Sequence, residues 1–153
     1  MTTGSGELTV RIECVLPAGP TIVFRANTEP RELAKWWGPN GFEAPSVEVD
    51  LRVGGSYRIA NQPPDGALFH LSGEFREVDP PTRLAYTFRW EEPDPDDRET
   101  VVTLSLKDLG RSTLLTVDQR LFATEARRAL HLQGWTESLD RLQELLSKPA
   151  PAP

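Results

Sequence analysis

Apolar and polar residues alternate with period two along "LTVRIEC": Leu8, Val10, Ile12 and Cys14 fall on one side, Thr9, Arg11 and Glu13 on the other. This spacing predicts a strand with one face buried. The alternation then lapses in "LPAGPTIVFRANTEPRELAKWWGPNGF". Pro20 suits the first turn of a short helix that carries Val23, Phe24 and Ala26. Asn27 and Thr28 read as start signals for a second short helix, "EPRELAKWW", with Pro30 at its head and "GPNG" as its stop.

Alternation returns in "PSVEVDL", through Val47, Val49 and Leu51, and in "GGSYRIA" after a tight turn at Gly54 and Gly55. In "ALFHLSGEFREVD" it sets Phe69, Leu71, Gly73 and Phe75 against His70, Ser72, Glu74 and Arg76. "RLAYTFRW" sets Leu84, Tyr86, Phe88 and Trp90 against Ala85, Thr87 and Arg89, and "PDPDD" (93–97) follows as a loop. A last pair, "ETVVTLSLKDL" and "RSTLLTVDQRLF", meets near Gly110, before a long helix from about Thr124 to Ser147. One-sided alternation in consecutive strands predicts an antiparallel sheet covered on one face, and the long helix is the cover. The class is α+β, with the first two strands set apart in the sheet or at opposite edges.

The long helix has two unlike halves. At about 100° per residue, Trp135, Leu139, Leu142 and Leu146 share a face bordered by Leu145, while His131 and Ser138 lie toward its middle and Gly134 at its flank. Leucines fill the C-terminal half as core. The His, Gly, Ser and Trp half leaves volume unfilled against the sheet, which is how a ligand cavity is built. His131 could serve as an acid or base only with a partner to orient it and set its pKa. Tyr57, Arg58 and Tyr86 are the strand residues that could supply one, and no catalytic residue is assigned. Trp36 and Trp37 are adjacent on a helix, so their side chains point about 100° apart. One is expected in the core and the other at a loop or the cavity rim.

Composition narrows the function classes. The 153 residues carry a net charge of −6 with no basic run, which argues against a nucleic-acid or anionic-membrane partner. No signal-peptide pattern or membrane-length apolar run is apparent, and the expected location is cytoplasmic. Cys14 is the lone cysteine and His70 and His131 are the two histidines, so neither an intramolecular disulfide nor a metal site is expected. No phosphate-cradle or nucleophile-elbow motif appears, and no cofactor is expected. One domain is read over residues 7–147, with loose Gly/Ser-rich and Pro/Ala-rich ends at 1–6 and 148–153.

Taken in order, "LAKWWGPNGF", "VEVDLRVGGSYRI", "GEFREVDPPTRLAYTFRW" and "GWTESLDRLQELL" resemble the SRPBCC (START-like) superfamily, in the branch homologous to the activator of the heat-shock protein 90 ATPase. The resemblance implies a helix-grip fold, a curved antiparallel sheet around a long C-terminal helix with a deep apolar cavity between them. Carried onto this chain, it implies a cavity bounded by Trp36 and Trp37, by inner strand residues such as Tyr57 and Tyr86, and by His131, Gly134, Trp135 and Ser138. It transfers no catalytic residue. The expected partner is a small hydrophobic molecule, aromatic or lipid-like. A cyclase or hydrolase acting on a polyketide-type substrate and a chaperone or homodimer interaction module are the alternatives. The eukaryotic activator has a further large domain that engages the chaperone, so direct ATPase stimulation is not expected of the single domain read here.

Overall fold

The computed structural model describes residues 8–148. The terminal stretches 1–7 and 149–153, which include the expected loose end 1–6 and most of that at 148–153, lie outside the described residues. Strand β1 (Thr9–Leu16) is followed by helices α1 (Pro20–Ala26) and α2 (Pro30–Trp36). Six strands come next: β2 (Glu43–Val49), β3 (Ser56–Gln62), β4 (Phe69–Asp79), β5 (Arg83–Trp90), β6 (Thr100–Asp108) and β7 (Thr113–Arg120). Helix α3 (Glu125–Ser147) closes the described chain. The class is α+β with helix-grip architecture.

All pairings are antiparallel, in the order β1-β7-β6-β5-β4-β3-β2. Strands β1 and β2 occupy opposite edges, as the two intervening helices require. The sheet bends where β4 crosses β5. At Gly73 a Cβ would stand 1.9 Å from the Thr87 carbonyl oxygen, so only glycine allows the backbones this close. Thr87 is held from both sides there. Its carbonyl accepts from the Tyr57 hydroxyl at 2.6 Å, and its own hydroxyl accepts from the Glu74 amide at 2.8 Å. A register shift between Phe75 and Glu77 continues the bend.

Val10, Leu71, Val102, Leu115 and Val117 line the covered face and are fully buried. Helix α3 lies over them, packed on β1 and α2. Leu139 and Leu142 are buried in the core, and Leu145 and Leu146 pack half-buried at its edge. Thr124 caps α3, its hydroxyl accepting from the Arg127 amide at 3.1 Å.

The short helices correct one expectation. Asn27 and Thr28 do not cap the start of α2, where Glu29 occupies the cap position without a side-chain bond. Instead they close the end of α1: Asn27 Nδ2 donates to the Val23 carbonyl at 2.8 Å, and the Thr28 hydroxyl donates to that of Phe24 at 2.9 Å. Carbonyls left open at a helix C-terminus accept from short polar side chains as readily as N-terminal amides donate to them. With one residue between the two helices' cap positions, sequence does not say which end is served.

Candidate functional site

The polar half of the α3 face and the strands beneath it do not meet. Between them lies a cavity of about 560 Å³, within the range that holds a drug-sized ligand. Its walls are aromatic: Trp37 comes from the end of α2, Phe42 from the approach to β2, Phe69 from the start of β4, Phe88 and Trp90 from β5, and Trp135 from α3. Trp37 and Trp135 meet edge to face with centroids 5.7 Å apart, and Phe69, Trp90 and Phe88 form a continuous row at 5.3 and 5.1 Å.

Trp135 is fixed by a buried relay. Its Nε1 donates to Gln119 Oε1 at 2.7 Å, Gln119 Nε2 donates to the Thr100 hydroxyl at 2.8 Å, and that hydroxyl donates onward to the Phe88 carbonyl at 3.4 Å. Gln119 is fully buried, so the bond both satisfies the amide and sets the plane of the indole. Gly134 lines the cavity, and a Cβ there would touch only Pro39 Cγ, at 3.9 Å. The glycine is therefore not required for close packing; it leaves open space.

His131 stands between Phe88, Trp90 and Phe122, with ring centroids 5.3, 5.9 and 4.8 Å away. Its Nε2 accepts from Trp90 Nε1 at 3.4 Å, which puts the imidazole proton on Nδ1. Burial, reinforced by the neighbouring Arg127 charge, pushes its pKa down to about 4. It is a neutral wall group at neutral pH. The three candidate partners lie elsewhere: the Tyr57 hydroxyl is spent on Thr87, Arg58 pairs with Glu91 at 2.9 Å, and Tyr86 packs against Tyr57 and Phe75.

The mouth is held by two arginines of α3. Arg127 pairs with Asp94 and, at 3.0 and 3.2 Å, with Asp96 and Asp97, gathering the loop after β5. Arg141 donates from one nitrogen to the carbonyls of Trp37, Gly38 and Pro39 at 3.3, 2.9 and 3.1 Å, tying down the loop after α2. Glu137 accepts from the Asn40 amide and from Gln133, which hold its carboxyl below the usual range.

Of the eight residues expected around the cavity, Trp37, His131, Gly134, Trp135 and Ser138 line it together. Trp36 does not; it is fully buried and donates from Nε1 to the Ala26 carbonyl at 2.9 Å. Tyr57 and Tyr86 do not line it either. With Leu33, Ile59 and Phe75 they surround a separate void of about 20 Å³. Trp37 borders both spaces and forms the partition. Sequence reading passed over Asn61 and Gln119. Asn61 continues the inward series Tyr57, Ile59 by one further step of two, the signal that places it on the covered face.

Among the described residues no cluster of His, Cys, Asp and Glu could hold a metal ion, and no helix is long and apolar enough to cross a membrane.

A family model described as Activator of Hsp90 ATPase homolog 1-like protein matches residues 17–147. The chain belongs to this family. A crystal structure of a protein from Chromobacterium violaceum is 31% identical, covering 93% of this chain and 99% of that one with a TM-score of 0.81. A Nitrosomonas europaea protein is 29% identical over 91% of this chain and 94% of its own, with a TM-score of 0.77. The AHSA1 protein of Silicibacter pomeroyi is 28% identical over 91% and 97%, with a TM-score of 0.79. A comparison with the curated proteins found no match. The family fold commonly binds hydrophobic ligands.

Proposed function

We propose that this protein binds a small hydrophobic molecule, with an aromatic or otherwise flat apolar body, in the cavity between the sheet and α3, and performs no chemistry on it. The observation that carries this reading is the aromatic cavity of about 560 Å³ that ends on Gly134, where the helix leaves space rather than filling it. His131 supports a binding role over an acid–base one. Its hydrogen-bond partner among the described residues is an indole, and its pKa of about 4 leaves it a poor acid and a weak base at neutral pH. A carrier or sensor of an apolar metabolite within the cytoplasm fits this arrangement.

The test is thermal-shift screening against a panel of apolar aromatic compounds, since a ligand that binds only the folded state raises its melting temperature. Hits should stabilise the wild-type protein and fail to stabilise a Gly134→Phe variant whose cavity is filled. A panel without a stabilising compound, or hits that act equally on the filled variant, would overturn the reading.

A further inference from the structure

We infer that the cavity selects apolar molecules bearing a protonated nitrogen and rejects apolar carboxylates such as fatty acids; this rests on the proposed binding role and specifies its ligand.

Apart from Arg127, the hydrogen-bond donors of the wall are uncharged. Of its three indole N–H groups, Trp135 Nε1 is spent on Gln119 and Trp90 Nε1 on His131, and Trp37 Nε1 has no hydrogen-bond partner among the described residues. Asn61 is the contrary case. It is 3% exposed and lines the cavity, and its Nδ2 donates to the Ile59 carbonyl at 3.1 Å. That bond fixes the amide so that Oδ1 remains as an acceptor, and among the described residues no hydrogen bond reaches it. Ser138, 6% exposed and also in the wall, has a hydroxyl without a partner among the described residues. Both residues line the cavity, where a donor on the ligand can pair with their oxygens in place of water.

The charges at the mouth have the same bias. Glu92, Asp94, Asp97 and Glu137 line it against two cations, Arg127 in the wall and Arg141 beside it. Arg127 is committed to Asp94, Asp96 and Asp97, and Arg141 donates to the carbonyls of Trp37, Gly38 and Pro39, so the carboxylates outnumber the cations and both arginines are already engaged. The unspent wall donors, among them the Ser138 hydroxyl, His131 Nδ1–H and Trp37 Nε1–H, are uncharged. A carboxylate entering this site would lose its hydration and meet net negative charge. An ammonium meets carboxylates at the rim and the indoles of Trp37, Trp90 and Trp135 within, rings whose faces attract cations through their quadrupoles.

Isothermal titration of the wild-type protein with naphthylmethylamine, naphthylmethanol and naphthoate at neutral pH separates body from head group. The amine should bind at least about tenfold more tightly than naphthoate at low salt, with the alcohol between them, and the gap should narrow as salt screens the rim. In a Glu92→Gln, Glu137→Gln double variant the amine's advantage should fall to about threefold or less. Naphthoate binding as tightly as the amine, or an advantage untouched by the double variant, would overturn the inference while leaving the binding role in place. An alcohol that matches the amine would overturn the requirement for charge. Binding by none of the three would remove both readings together.

Discussion

Trp135 and Gln119 are joined by a 2.7 Å hydrogen bond, indole Nε1 to amide Oε1, and neither atom has a second hydrogen bond among the described residues. Gln119 is fully buried on β7 and Trp135 is 6% exposed on α3, so the bond is a buried polar fastening between helix and sheet beside the cavity. Trp135→Phe keeps the aromatic packing and strands the Gln119 oxygen, and should lower stability by about 1–3 kcal/mol. Replacing both, as Trp135→Phe with Gln119→Leu, removes the stranded group and should cost less than the sum of the two single changes. Urea unfolding of the four proteins gives the comparison, and strict additivity would deny the coupling.

Gly134 offers a cleaner dissection, because helix propensity and cavity volume respond to it in opposite senses. Gly134→Ala should raise stability by about 0.5–1 kcal/mol, since its new Cβ meets only Pro39 Cγ at 3.9 Å. Larger residues should erode ligand affinity stepwise while the fold persists. Melting temperatures and ligand titrations across Ala, Leu and Phe at this position would show the two trends diverging, and a destabilised Gly134→Ala protein would mean the backbone there is under a constraint other than space.

Acidification should weaken the fold through His131. Its folded pKa of about 4 lies below the ordinary 6.5. Between those values the unfolded chain binds the proton and the folded one does not, so stability rises with pH across that window. The contribution is complete above about pH 6.5 and is lost as pH falls toward 4, up to about 3 kcal/mol in all. Urea midpoints measured from pH 7 to 4 should show this slope, and His131→Gln should flatten it. A variant with the wild-type slope would assign the acid sensitivity to other groups.

Cys14 should be a sluggish thiol. Burial, with a smaller push from Asp140, raises its pKa from an ordinary 9.0 to about 11. At pH 8 its thiolate fraction should be about 100-fold below that of a free thiol, and iodoacetamide labelling should be slowed in proportion until the protein is unfolded. Labelling of the folded protein at the rate of a small-molecule thiol would show the side chain to be open.

The chain's alternation carried most of the architecture. The strand series, the separation of β1 from β2 and the Thr124 start of α3 all follow from spacing and cap chemistry in local windows. What spacing could not supply was position along the length of each strand. Tyr57 and Tyr86 share the covered face with Phe69 and Phe88, and on a flat sheet they would share a cavity with them. Thr87 and Gly73 fold the sheet between those levels, and Trp37 fills the bend, so the tyrosines close a small separate void. That division depends on a backbone approach between strands β4 and β5, which no single-strand pattern encodes. Gln119 and Asn61 were missed for a related reason: a buried polar residue looks like an exception to alternation until its partner, or its lack of one, is known.

The edge position of β1 also orders events in time. Thr9 pairs with Arg120, so β1 has no ladder partner until β7 has been made, more than a hundred residues later. Contacts so distant in sequence close slowly, because the loop between them must be ordered first. The meander from β2 to β7 can assemble hairpin by hairpin, whereas β1 can only wait, and α3 cannot find its bed on β1 until that last edge is laid. The chain must therefore keep β1, with Val10 and Ile12 still exposed, from pairing with a neighbouring chain during the interval. Proline and charge are the usual protections for such an edge, and Arg11 and Glu13 on the outward face of β1 stand where that protection is needed.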